Sequence, residues 1–162
     1  MKGVFQLIFL FNLVDNLYCN DDSINVRIKR TMLKDMRHKW TFPIEYTTNY
    51  PVNLATVQKA LNILQNETCI TFTKVDSFTG PGLNYYYGSG CLSFIGKTSD
   101  TYPQDISLGW NCDHVAVVLH ETAHALGVIH EMNRPDRDNY VFIYDKNMNP
   151  AQAFNFVRNP AN

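Results

Sequence analysis

The chain has 162 residues, of which 45% are hydrophobic and 18% charged, and its formal net charge is -1. That length supports one domain with a sizeable core. The near-neutral balance argues against a nucleic-acid binder, which would carry a basic patch, and no internal repeat or low-complexity segment interrupts the sequence.

Residues 1–19 read as a signal peptide. Lys2 supplies the positive start, and the run from Val4 to Val14 is apolar except for Gln6 and Asn12. It is far too short to span a membrane, and no other stretch is a candidate span. The protein is therefore expected to be secreted. Residues 20–30 then form a very short propeptide. It ends Arg27-Ile28-Lys29-Arg30, a basic run of the kind cut by proprotein convertases, which makes Arg30-Thr31 the expected processing bond.

Residues 41–50 alternate Phe42, Ile44, Tyr46 and Tyr50 with polar residues, as a strand does. Asn53 is suited to cap a helix. Leu54, Val57, Leu61 and Leu64 recur at spacings of three and four, so that helix is amphipathic to about Glu67. Asn66-Glu67-Thr68 is a glycosylation sequon. A second strand is expected from Cys69 to Val75, a turn at Gly80-Pro81-Gly82, and another strand around Tyr85, Tyr86 and Tyr87. Ile106 to Leu108 reads as the last strand before a helix starting near Asp113, with His114 on its exposed first turn.

That helix carries the chemistry. In His120-Glu121-Thr122-Ala123-His124 two imidazoles lie four residues apart. Four residues are about one helical turn, so both rings leave one face and can share a metal. Glu121 follows the first ligand and can reach a water held on that metal. His130 lies six residues beyond His124. A continuing helix would rotate it by about 600° and carry it roughly 9 Å along the axis, away from the metal. The helix must therefore stop between them, and Gly127 can take the left-handed conformation that ends it. Three histidines make a catalytic type of zinc site with one position open, and this extended pattern is the metzincin signature. One Zn2+ per chain is expected.

The next residues are Glu131-Met132-Asn133-Arg134-Pro135-Asp136-Arg137-Asp138. From His120 to Asp138 the chain resembles the astacin family of secreted zinc endopeptidases at every fixed position of its signature. The likeness runs from about residue 31 to the C-terminus. It implies an α+β fold: the N-terminal subdomain of a metzincin, a twisted mixed sheet with two long helices, the second carrying the zinc motif. It implies hydrolysis of peptide bonds in polypeptide substrates by zinc-bound water, with Glu121 as general base. It gives Glu131 the role of meeting the ammonium group of the mature N-terminus. It supports cleavage before Thr31, since the family keeps a tryptophan nine residues after that terminus and Trp40 stands there. The family's usual latency motif, F-x-G-D, is absent.

The resemblance also makes the stretch from Gly88 to Gly96, with Cys91, Leu92 and Ser93, the edge strand against which an extended substrate lies. In a secreted chain cysteines are expected to pair, and the resemblance pairs Cys91 with Cys112. Cys69 matches a cysteine whose partner sits late in the complete domain. The sequence ends at Asn162 without offering one, so Cys69 is expected to be an orphan prone to disulfide-linked dimers. By the same likeness residues 31–162 are a peptidase domain incomplete at its C-terminus, ending before the methionine turn and second half-domain. That leaves two rivals to an active endopeptidase. One is a catalytically weak zinc-binding module that binds peptides or partners; the other is a metal-free structural domain tied by disulfides.

Overall fold

The structure is a computed structural model that describes residue 32 and residues 36–159. The expected signal peptide, the propeptide and the Arg30-Thr31 bond lie outside the described residues.

Five strands form one mixed sheet: β1 (Ile44–Thr48), β2 (Phe72–Lys74), β3 (Gly82–Tyr86), β4 (Cys91–Ser93) and β5 (Gln104–Leu108). Their order across the sheet is β2-β1-β3-β5-β4. The first four in that order are parallel, and β4 pairs antiparallel with β5 at one edge. Two helices, α1 (Leu54–Glu67) and α2 (Val115–Ala125), complete the frame.

Alternation along the strands decides which side is core. Ile44 and Tyr46 of β1, Leu83 and Tyr85 of β3, and Ile106 and Leu108 of β5 are buried. They share one apolar cluster with Val57, Ala60, Leu61 and Leu64 of α1 and Val118, Leu119, Ala123 and Ala125 of α2. The intervening residues face the other way and form a polar ladder. Thr47 Oγ1 donates to Asn84 Oδ1 at 2.9 Å, and Asn84 Nδ2 donates to Asp105 Oδ1 at 2.7 Å.

Helix α1 begins where its cap dictates, the Asn53 side chain accepting from the N–H groups of Ala55 and Thr56. The strand expected from Cys69 is shortened to Phe72–Lys74. Its first residue and the segment before it are fastened to the helix end: Thr68 Oγ1 donates to Leu64 O at 2.7 Å, and Phe72 N donates to Gln65 Oε1 at 2.8 Å. The last strand gains Gln104 and Asp105 over the expected Ile106–Leu108. The zinc-motif helix starts at Val115, two residues later than expected, with exposed His114 as its N-cap. The residues before it are held in a turn, Cys112 N donating to Gly109 O and His114 N to Cys112 O.

Cys91 and Cys112 form a disulfide, tying the edge strand to the approach of α2. The expectation of an orphan Cys69 is corrected. Cys69 is disulfide-bonded, to a partner outside the described residues.

Candidate functional site

The end of α2 builds the site. Leu126 closes the helix, and Gly127 takes φ +101°. Val128 N then donates back to Ala123 O at 2.9 Å, and Gly127 N to His124 O at 2.8 Å. This pair of bonds is the Schellman closure. It requires a residue at home at positive φ, and a Cβ at position 127 would also sit 2.8 Å from Met36 Sδ.

The turned chain brings His130 back over the helix. His124 Nε2 lies 3.0 Å from His120 Nε2 and 3.0 Å from His130 Nε2, and His120 and His130 are 3.1 Å apart by the same atoms. His124 Nδ1 lies 2.7 Å from Val128 O. A carbonyl only accepts, so Nδ1 carries the proton and Nε2 presents a lone pair. No placement of protons satisfies the triangle. With His124 as acceptor, two donors elsewhere repel each other, and one donor leaves two lone pairs face to face. A cation at the centre resolves this. Ring nitrogens on one tetrahedral zinc, at about 2.0–2.1 Å each, stand roughly 3.3 Å apart, close to the observed spacing. Three neutral imidazoles therefore fit a zinc ion in donor type and separation. Among the described residues this is the one cluster of three potential ligands with such convergence.

Burial keeps these rings neutral. It pushes His120 down to about 4, with neighbouring His124 and His130 adding to the effect. Burial likewise lowers His124 and His130. Glu121 sits on the same turn at 5% exposure, and burial raises its carboxyl to about 7.

The surroundings fix the helix end from three sides. Trp40 Nε1 donates to Ala125 O at 2.9 Å, and Gly96 N, just past the edge strand, donates to His124 O at 2.8 Å. On the far face, Tyr85 Oη meets Thr122 Oγ1 at 2.8 Å, and Thr122 Oγ1 donates to Val118 O at 2.6 Å. Lys97 follows Gly96, and its ammonium donates to Lys39 O at 3.1 Å and Asp100 Oδ1 at 2.7 Å while lying 5.5 Å from the Trp40 ring centroid. Sequence reasoning found the histidines and Glu121. It missed this support because most of the acceptors are backbone carbonyls, which every residue carries.

After His130 the polar motif knits the following segment together. Arg134 binds Asp136 with two N–H groups at 2.8 and 2.9 Å and reaches Glu131 Oε2 at 3.1 Å. Arg137 donates to Met132 O and to Phe156 O. The expected N-terminal partner of Glu131, Thr31, lies outside the described residues. Cys91, Leu92 and Ser93 form the edge strand β4. Asn66 is exposed at the end of α1.

Comparison with known proteins agrees in one direction. The model of the astacin peptidase family matches residues 32–162. The chain is 35% identical over 161 residues to zinc metalloproteinase nas-34 of Caenorhabditis elegans, covering 93% of this chain and 26% of that protein. It is 38% identical over 104 residues to tolloid-like protein 1 of Mus musculus, covering 64% of this chain and 10% of that one. Among solved structures, the hatching enzyme zinc-protease high choriolytic enzyme 1 of Oryzias latipes superposes with a TM-score of 0.66 at 31% identity. That match covers 74% of this chain and 60% of the other. The chain thus spans about a quarter of the nas-34 protein and under two thirds of the solved relative.

Proposed function

This chain belongs to the astacin family, and on that premise we propose that it is the zinc-bearing part of a secreted endopeptidase acting on polypeptides. The observation that carries this reading is the triangle of His120, His124 and His130 nitrogens, 3.0–3.1 Å on each side, with buried Glu121 on the same helical turn.

The three histidines would hold one Zn2+. When bound, such an ion acts as a Lewis acid on a carbonyl oxygen and lowers the pKa of a coordinated water toward about 7. Glu121 supplies the proton chemistry. Its carboxyl lies on the same helical turn as the ligands, and a carboxyl so placed can take a proton and return it. It removes a proton from the attacking water as the oxygen bonds to the peptide carbon. It then delivers that proton to the amine as the carbon–nitrogen bond breaks. The substrate lies along β4, whose outer edge is unpaired within the described sheet.

Residues 1–19 would direct secretion, and a proprotein convertase would cut Arg30-Thr31. The new Thr31 ammonium would then reach Glu131. Asn66 would carry a glycan, in keeping with its exposure. Among the described residues no helix is long and apolar enough to cross a membrane.

The test is elemental analysis of the secreted protein together with a peptidase assay, each on wild type and Glu121→Gln. Expected are one zinc per chain in both and a loss of cleavage of about 10² to 10⁴-fold in the glutamine variant. Folded wild-type protein without zinc would reject the reading. Zinc with no cleavage would favour the alternative of a zinc-binding module that holds peptides.

A further inference from the structure

Resting on that reading of the site, we propose that β4 selects its peptide by apolar side chains at alternate positions, which it receives over Leu92 and Phe94. The two edges of the sheet differ in kind. The β2 edge carries Lys74, paired with Asp76 at 3.5 Å. A charge of this sort is how an exposed edge avoids pairing with another chain. The β4 edge has no such guard, and from Ser77 to Gly96 the sequence contains no charged residue at all.

The side chains along that edge are apolar and open. Leu92 is 51% exposed and Phe94 64%, while Ser93 between them is half-buried. Exposure does not alternate here, since Cys91 and, at 43%, Ile95 are exposed too, so the faces are read from the register. Ser93 and Cys91 lie opposite Ile106 and Leu108, whose side chains enter the core, so Leu92, opposite Ser107, belongs to the outer face. Phe94 follows just past the strand and is exposed as well. Trp110, also exposed, extends the apolar rim near the start of β4, where Gly109 N bonds Gly90 O.

The strand is fixed relative to the histidines. The Cys91–Cys112 disulfide holds one end, and the Gly96 N–His124 O bond holds the other. A peptide that pairs with β4 is therefore placed in register with the site by its backbone. Its side chains at alternate positions then come over Leu92 and Phe94. A charged side chain there would lose water and gain no partner.

The test uses the secreted, zinc-loaded protein as Glu121→Gln, so that binding is read without turnover. Two fluorescein-labelled extended peptides serve as probes: one with leucine at alternate positions, the other with serine at those positions. Their dissociation constants are measured by anisotropy. The leucine peptide should bind about ten-fold or more tightly. In Leu92→Ser/Phe94→Ser, two exposed sites whose replacement leaves the core intact, that ratio should fall toward one. Equal affinities on the parent protein, or a preference that survives the double substitution, would overturn the apolar selection and leave the peptidase reading standing. Failure of both peptides to bind zinc-loaded protein would count against both. Light scattering on the same samples reports whether β4 is instead occupied by a second copy. A dimer dispersed by the double substitution would also overturn the proposal.

Discussion

The imidazole of His124 donates its Nδ1 proton to the carbonyl of Val128, four residues on and beyond the end of its own helix, at 2.7 Å. That bond exists only because the chain reverses at Gly127. It sets the tautomer, and the tautomer aims the Nε2 lone pair at His120 and His130. A hydrogen bond to the second nitrogen is the usual device for orienting a metal-binding histidine.

Gly127 is therefore expected to be the least replaceable residue of the turn. Gly127→Ala puts an L side chain at φ +101° and its Cβ against Met36 Sδ. The conformational cost is of order 1 kcal/mol or more. Because the same turn carries Val128 O and His130, zinc affinity should fall along with thermal stability. Titration with a zinc chelator, beside a melting curve, tests this. Unchanged zinc affinity in the alanine variant would show that the turn tolerates another closure.

The contact behind the helix makes a prediction about asymmetry. Thr122 Oγ1 gives its proton to Val118 O, so the Tyr85 hydroxyl must be the donor between the two side chains. Burial holds the Tyr85 phenol far above its ordinary value, which keeps it protonated. Tyr85→Phe leaves Thr122 bonded to Val118 and should cost about 0.5–1.5 kcal/mol. Thr122→Val orphans a fully buried hydroxyl and should cost about 1–3 kcal/mol. The double variant should cost less than the sum of the two. Denaturant unfolding of the four proteins decides it, and a cheaper Thr122→Val would contradict the assignment of donor and acceptor.

Asp100 gives a pH dependence with a definite sign. Its carboxylate accepts from Lys97 Nζ at 2.7 Å and lies 2.6 Å from His38 Nδ1. The Lys97 bond first, and then the His38 bond, hold it below the usual carboxylate range. A depressed carboxyl stabilises the fold above its unfolded pKa, about 3.9, and that contribution is lost as pH falls through the folded value. The melting temperature of Asp100→Asn should therefore lie below that of wild type at pH 7. The gap should stay level down to about pH 5 and close below about pH 4. A gap that persists at lower pH would assign the effect to packing.

The Cys91–Cys112 bridge closes a loop with a sequence separation of 21. By chain entropy a loop of that size contributes about 3 kcal/mol. Replacing both cysteines by serine should lower stability by roughly that amount. It should also release one end of β4, so protection of the β4–β5 amides against hydrogen exchange should drop more than protection of β1–β3. Equal loss in both regions would show that the bridge acts on the unfolded chain alone.

Much of this protein is legible in the sequence because its signals are local. Alternation at Ile44 and Tyr46, the three-and-four spacing from Leu54 to Leu64, and the Asn53 cap each act within one element, so period and capping chemistry suffice to place them. The ligand set is equally local. His120 and His124 share a helical turn, and the position of Gly127 required the chain to reverse before His130. What the sequence did not contain is the company these residues keep. Gly96 and Trp40 reach the last carbonyls of the zinc-motif helix, His124 O and Ala125 O, from 28 and 85 residues away. Tyr85 steadies the helix from behind across 37 residues. Cys69, which the sequence left without a partner, is bonded. Each of these depends on packing two distant segments, and its acceptor is often a backbone carbonyl that looks the same at every position. Local chemistry determined which residues could bind a metal. The packing of the sheet and helices around the turn at Gly127 decided that three ring nitrogens meet within 3.1 Å.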